Sequence, residues 1–71
     1  MANGPSENER ILSFVEDCRD AHVAPYPVGT RVIQAHTGLP LSRVRAAVDK
    51  LLGEGRLTKM PAYPDYGVVL P

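Results

Sequence analysis

Residues 35–57 read AHTGLPLSRVRAAVDKLLGEGRL, and this stretch decides the fold. It begins with a short turn marked by Thr37, Gly38 and Pro40, and it continues as one periodic helix that we expect to span 40–53. Proline suits the first turn of a helix because its φ is already helical and its missing N–H would have no partner there. Gly38 follows the last apolar residue of a preceding helix, where a left-handed backbone conformation would end that helix. The stretch therefore predicts two helices joined by a tight turn.

The helix predicted over 40–53 has one apolar side and one outward side. The apolar side consists of the residues that the helical period places within about a third of a turn of one another: Val44, Ala47, Val48, Leu51 and Leu52. The outward side consists of Ser42, Ala46, Asp49 and Gly53. Three cations flank this outward side, namely Arg43, Arg45 and Lys50. We expect Leu39 to fill the turn before the helix.

A first helix is predicted to begin at the segment from Ser6 to Glu9, which has the form of a capping box. In such a box the serine oxygen accepts from the N–H of Glu9, and the Glu9 side chain accepts from the N–H of Ser6. Apolar residues then follow at helical spacing, with Phe14 at the edge of the stripe: Ile11, Leu12, Val15, Cys18, and Ala21 or His22. We expect 1–5 to be a disordered leader and 6–71 to be one domain.

Between the first helix and the turn, the sequence Ala24-Pro25-Tyr26-Pro27 ends the helix and allows a short edge strand. A helix of two to three turns is then predicted from Val28 to His36. Downstream, Gly55 is expected to end the long helix. The runs 56–60 and 68–70 are typical of two strands of a hairpin, and the residues between them form a turn-rich loop.

Charge is distributed unevenly along a chain whose formal net charge is zero. Residues 1–27 hold two arginines and five acids, a balance of −3, and residues 28–60 hold six cations and two acids, a balance of +4. The six cations are Arg31, Arg43, Arg45, Lys50, Arg56 and Lys59. A local basic surface matters more for nucleic-acid binding than the total charge does. An uneven distribution is also common in small proteins that bind no nucleic acid.

Composition argues against catalysis and against a bound metal. Cys18 is the only cysteine among 71 residues, and we interpret it as a small buried hydrophobe because nearby acids disfavour a thiolate. His22 and His36 lie near predicted helix ends, where they act as caps or surface residues rather than as a metal set. No nucleophile–base set or phosphate-cradling loop is present, so we expect neither an enzyme nor a cofactor.

The N-terminal sequence has no apolar run typical of a signal peptide, and no stretch approaches the length of a membrane span. We therefore expect no membrane partner. The single cysteine fits a reducing, cytoplasmic setting, and we also expect no small-molecule substrate.

The order of helix, short strand, helix, tight turn, helix and hairpin resembles the winged helix-turn-helix family. The segments that carry the resemblance are IQAHTGLPLSRVRAAVDKLLGEGRL (33–57) and LTKMPAYPDYGVVL (57–70). The expected fold class is therefore α+β, mainly α, with three helices and a C-terminal β-hairpin wing. The resemblance implies a bacterial or phage transcriptional regulator that binds double-stranded DNA and acts as a homodimer or with a protein partner.

In this family the second helix of the pair lies in the major groove, and the wing contacts the backbone or the minor groove. The resemblance therefore implies DNA contacts from helix 40–53 and from the wing at 59–67. The implied DNA-binding residues are Arg31, Ser42, Arg43, Arg45, Ala46, Asp49, Lys50, Lys59, Tyr63 and Tyr66. Arginine can donate two hydrogen bonds to guanine, whereas a serine or lysine suits phosphate. For each of these residues a solvated surface position is the alternative, and at least one of the two wing tyrosines is expected to pack on the helices.

Two alternative functions are consistent with the same scaffold. Winged domains that bind left-handed Z-form nucleic acid are similar, but Arg45 stands where they use asparagine and Asp49 stands where they use the base-contacting tyrosine. Asp65 also replaces a wing proline, and no tryptophan follows it. The other alternative is a protein–protein interaction module, such as a phage factor that binds a host protein through the tip 61–67. The neutral net charge and the acidic first helix favour this second alternative.

Overall fold

The computed structural model describes residues 6–61 and 67–71. In these parts the chain forms three helices and two short strands: α1 (Glu7–Ala21), α2 (Thr30–Thr37), α3 (Leu41–Gly53), β1 (Thr58–Lys59) and β2 (Val68–Val69). The protein is therefore a small, mainly helical α+β domain, as the sequence predicts. The leader predicted over 1–5 and the centre of the hairpin loop, 62–66, lie outside the described residues.

The first helix begins as predicted, with Ser6 at its N-cap accepting a hydrogen bond from the backbone N–H of Glu9 at 3.2 Å. Phe14 is only 4% exposed, so it belongs to the core and not to the edge of the apolar stripe. The stripe also ends earlier than expected. Ala21 and His22 are both exposed because the helix stops at Ala21 and His22 turns the chain with a left-handed φ of 56°.

The second helix begins at Thr30, so the predicted start at Val28 is wrong. Val28 has extended backbone because it exchanges two hydrogen bonds of 2.9 Å with Val68, one in each direction. This pair is a single β-bridge, and it lies one residue beyond the stretch 24–27 in which a short edge strand was expected. Gly38 ends the helix as predicted, with a φ of 76° and its N–H donating to the carbonyl of Gln34.

The turn between α2 and α3 is held by polar and apolar contacts. The Thr37 hydroxyl donates to the Ile33 carbonyl at 2.8 Å and accepts from the Leu39 N–H at 3.4 Å. Arg10 of α1 donates to the Thr37 carbonyl at 3.2 Å, which satisfies one acceptor at the C-terminal end of α2. Leu39 is half-buried and packs against the core, as predicted.

The third helix buries the predicted side and ends at a glycine motif. Pro40 occupies its N-cap, one residue outside the expected first turn. At the other end, the Gly55 N–H donates to the Leu52 carbonyl at 3.1 Å and the Arg56 N–H donates to the Leu51 carbonyl at 2.9 Å. This pair of bonds is a Schellman motif, which requires left-handed backbone at Gly55, and its φ is 75°.

One hydrophobic core joins all the elements. The three helices contribute Ile11, Phe14, Val15, Cys18, Ile33, Val44, Ala47, Val48 and Leu51 to it. Val28, Leu57 and Val68 extend it beneath the sheet. Because residues of α1, of α2 and of the sheet all belong to this core, they cover the apolar side of α3 and fix the orientation of that helix.

The hairpin is shorter than the predicted runs 56–60 and 68–70. Thr58 pairs with Val69 and Lys59 with Val68 in antiparallel register. Arg56 belongs to the turn after α3 and not to the strand, because its N–H is used by the Schellman motif. Tyr26 secures the end of the sheet, since its hydroxyl accepts from the Leu70 N–H at 2.8 Å.

Replacing Gly55 by Ala should destabilise the domain by about 1–2 kcal/mol, because an L-residue resists left-handed backbone. A methyl group at Gly55 would meet no atom within 4 Å, so conformation and not crowding sets this cost. Gly53→Ala is the matched control. It also meets no atom within 4 Å, and Gly53 is the last residue of α3 and has no left-handed φ, so this variant should not destabilise and should stabilise by up to about 0.5 kcal/mol. Urea unfolding of both variants checks this pair, and equal stability would contradict the Schellman assignment.

Candidate nucleic-acid interface

The outward side of α3 is a continuous polar surface. Because the opposite side is anchored by Val44, Val48 and Leu51, which are fully buried, the helix cannot rotate about its axis. Every sequence-predicted residue of α3 is exposed as a result: Ser42, Arg43, Arg45, Ala46, Asp49 and Lys50. The helix is 13 residues long, which corresponds to a rod of about 20 Å.

The guanidinium of Arg43 forms an ion pair with Glu7 in the first turn of α1. The two residues are 36 positions apart in sequence, so no local pattern could have indicated the pair. The contact lies on the edge of α3 that faces α1. Arg43 is therefore engaged by the protein itself, while it remains largely exposed to solvent.

A second arginine is held in the same way. Arg56, just beyond the end of α3, donates to the carboxylate of Glu9 at 3.0 Å. The Glu9 side chain thus accepts a hydrogen bond from Arg56, while the Glu9 backbone N–H donates to the Ser6 hydroxyl. Two carboxylates in the first turn of α1 therefore form ion pairs with two arginines of the basic segment 28–60. Arg56, Glu7 and Glu9 are not among the sequence-predicted site residues.

A shallow concavity of about 260 Å³ lies between the first turn of α1 and the edge of α3. Its walls are formed by Glu7, Asn8, Arg43, Ala46, Ala47 and Lys50. Within residues 6–61 and 67–71, Lys50 forms no ion pair. The concavity is therefore lined by two cations, one carboxamide and one carboxylate, with small alanines between them.

The remaining predicted residues are distributed over other elements. Arg31 is exposed in the first turn of α2, and Lys59 is exposed on β1, opposite Val68. Tyr63 and Tyr66 lie outside the described residues. The structure therefore brings together the predicted residues of α3.

A second groove, of about 250 Å³, lies between α1 and the C-terminal end of α2 and not at α3. It is lined by Glu9, Arg10, Ser13, His36 and Thr37. The His36 ring is stacked on Phe14, with ring centroids 4.0 Å apart and planes inclined by 15°. His36 is exposed in the last turn of α2, and His22 caps the end of α1. Both histidines therefore lie at helix ends, as predicted.

The described residues offer no metal site, since no group of three or more His, Cys, Asp or Glu residues is close enough to hold an ion. Cys18 is fully buried, and burial is the main cause that raises the pKa of its thiol, with a smaller contribution from Asp17. A raised pKa keeps the sulfur protonated, and the thiolate is the nucleophilic form. In the described parts of the chain, no helix has both the length and the apolar character needed to cross a membrane.

Comparison with known proteins adds no relative: no family model, no curated protein and no solved structure matches the sequence.

The Cys18 thiol should react slowly in the folded protein. With iodoacetamide at pH 8, we expect alkylation at least about ten times slower than in the urea-unfolded chain, because burial limits access and the raised pKa limits thiolate. Mass spectrometry of timed samples measures both rates. Equal rates would show that Cys18 is accessible and would contradict its place in the core.

Proposed function

We propose that the protein is a small DNA-binding regulator that places α3 in the major groove of double-stranded DNA. The observation that carries the proposal is the outward side of α3, which is fixed by a buried opposite side and flanked by Arg43, Arg45 and Lys50. A helix fits the major groove, which is about 12 Å wide and presents the bases' distinguishing edges.

The order of elements supports this proposal. Two helices joined by a short glycine-containing turn, α2 and α3, correspond to the helix-turn-helix arrangement. A two-stranded antiparallel sheet follows, and Val28 extends it by one bridge on the other side of β2. Three helices with such a sheet resemble a winged helix-turn-helix domain, in which β1 and β2 are the base of the wing.

The proposed roles follow from the chemistry of each side chain. Arg45 suits a bidentate contact with guanine, and Ala46 leaves room for a base edge to approach α3. Ser42 suits a phosphate oxygen, as do Lys50 on α3 and Lys59 on β1. Asp49 repels phosphate but can accept from a cytosine amino group. We propose three further residues as DNA contacts: Arg31, Tyr63 and Tyr66.

A single domain of this size can contact only part of a regulatory site. Two copies on neighbouring half-sites, one helical turn apart, would place two α3 helices in successive major grooves. We therefore propose that the protein acts as a homodimer or beside a protein partner on DNA. A bacterial or phage regulator is the class of protein that this arrangement suits.

A protein–protein interaction module is the second candidate. The observation that favours it is the pairing of Arg43 and Arg56 with the acids of α1, which lowers the positive charge offered to DNA. The formal net charge of zero points the same way. A winged scaffold does not dictate function, so binding measurements have to separate the two candidates.

The salt dependence of DNA binding tests the first candidate. About four phosphate contacts give a slope near −3.6 in log K against log salt, so affinity should fall about a hundredfold between roughly 50 and 200 mM salt. Fluorescence anisotropy of a labelled mixed-sequence duplex measures this slope. At the lower salt concentration, Arg45→Ala and Lys50→Ala should each weaken binding by about 5–20-fold, which is the loss expected for one charged contact.

Arg19→Ala is the matched control, because it removes one positive charge from α1, away from α3. The Arg19 guanidinium instead donates to Asp20 at 2.7 and 3.0 Å, and this pairing lowers the pKa of the Asp20 carboxyl. We expect Arg19→Ala to change affinity by less than about twofold, since screening weakens distant charges. The absence of wild-type binding at low salt, or equal losses in all three variants, would reject α3 as a DNA-binding surface and favour the protein-partner candidate.

A further inference from the structure

The concavity between α1 and α3 combines groups that suit a phosphodiester. Arg43 and Lys50 supply positive charge, and Asn8 supplies an amide donor from α1. Ala46 and Ala47 keep the floor shallow, so a sugar-phosphate backbone could approach closely. Because the site lies on one edge of α3, a backbone phosphate there would flank the groove that α3 occupies.

An anion from the protein itself already lies in this concavity. The carboxylate of Glu7 pairs with Arg43, and carboxylate and phosphate offer a guanidinium the same kind of oxygen acceptors. The neighbouring Glu9–Arg56 pair repeats the arrangement within the same turn of α1. A carboxylate in the position of a ligand anion lowers the affinity for that anion, because the carboxylate must leave before the anion can bind.

We infer that the concavity is a backbone-phosphate site and that Glu7 is an intramolecular competitor for it. This inference rests on the proposed function. It means that a carboxylate on the same surface limits how strongly that surface binds phosphate. On DNA binding, Arg43 would exchange the Glu7 carboxylate for a phosphate. The exchange releases one cation from the DNA but leaves Glu7 to attract another, so the wild-type protein gains almost no counterion release from Arg43.

Glu7→Gln tests the inference because glutamine keeps the size of the side chain and removes its charge. With Arg43 available, affinity for the mixed-sequence duplex should rise by about 3–10-fold at low salt. Because no carboxylate is then left to attract a cation when Arg43 binds phosphate, the slope of log K against log salt should also become steeper, by up to about 0.9. Fluorescence anisotropy across a series of salt concentrations measures both quantities.

Glu16→Gln is the matched control, since it makes the same charge change at an exposed position of the same helix. It should raise affinity by less than about twofold and leave the slope unchanged, because its effect is only long-range. A cycle with Arg43→Ala isolates the pair. In the Arg43→Ala background, Glu7→Gln should gain less than about twofold. Thermal unfolding by circular dichroism confirms that each variant is folded.

The outcomes separate the inference from the proposed function. DNA binding by the wild type with equal effects of Glu7→Gln and Glu16→Gln overturns the inference and leaves the DNA-binding proposal in place. A gain in Glu7→Gln that persists without Arg43 overturns it as well. If neither the wild type nor Glu7→Gln binds the duplex at low salt, both proposals are overturned. Binding by Glu7→Gln alone would support the competitor role of Glu7 but overturn the proposal that the wild-type protein binds DNA.

Discussion

Burial of the apolar side of α3 determines how the other elements pack. Val44, Val48 and Leu51 have no exposed surface, and α1 and α2 together with Val68 of the sheet complete the core around them. Burying side chains of this size contributes about 1.5–3 kcal/mol each, which is a large share of the stability of so small a domain. Because the apolar side of α3 faces the core, the polar residues of α3 face the solvent.

The first helix supports this arrangement and also limits it. Its inner side supplies Ile11 and Val15 to the core, and its Arg10 closes the end of α2. Its first turn brings Glu7 and Glu9 to arginines on or beside α3. Exposed ion pairs of this kind contribute little to folding, about 0–1 kcal/mol each. Their larger effect is to offset the positive charge of Arg43 and Arg56.

Local sequence signals predicted the helices because their causes are local. Periodicity around Val44 identified the buried side of α3, and Gly38 marked the left-handed end of α2. Predictions were wrong where a distant partner decides the conformation. Val28 looked like the first residue of a helix, yet its backbone is extended because Val68, 40 residues later, supplies its hydrogen bonds.

The same reason explains which parts of the candidate site were predicted. Exposure of Arg45, Asp49 and Lys50 followed from helical geometry alone. The pairing of Arg43 with Glu7 did not, because it depends on how α1 packs across α3.

A titration of the ¹⁵N-labelled protein with a DNA duplex, followed by two-dimensional NMR, shows directly whether α3 is the DNA-binding surface. We expect the largest amide shifts at the exposed residues of α3 from Ser42 to Lys50 and at Lys59 of β1, and small shifts in the C-terminal half of α1. Shifts confined to other surfaces, or no shifts at low salt, would show that α3 is a structural helix and would contradict the account.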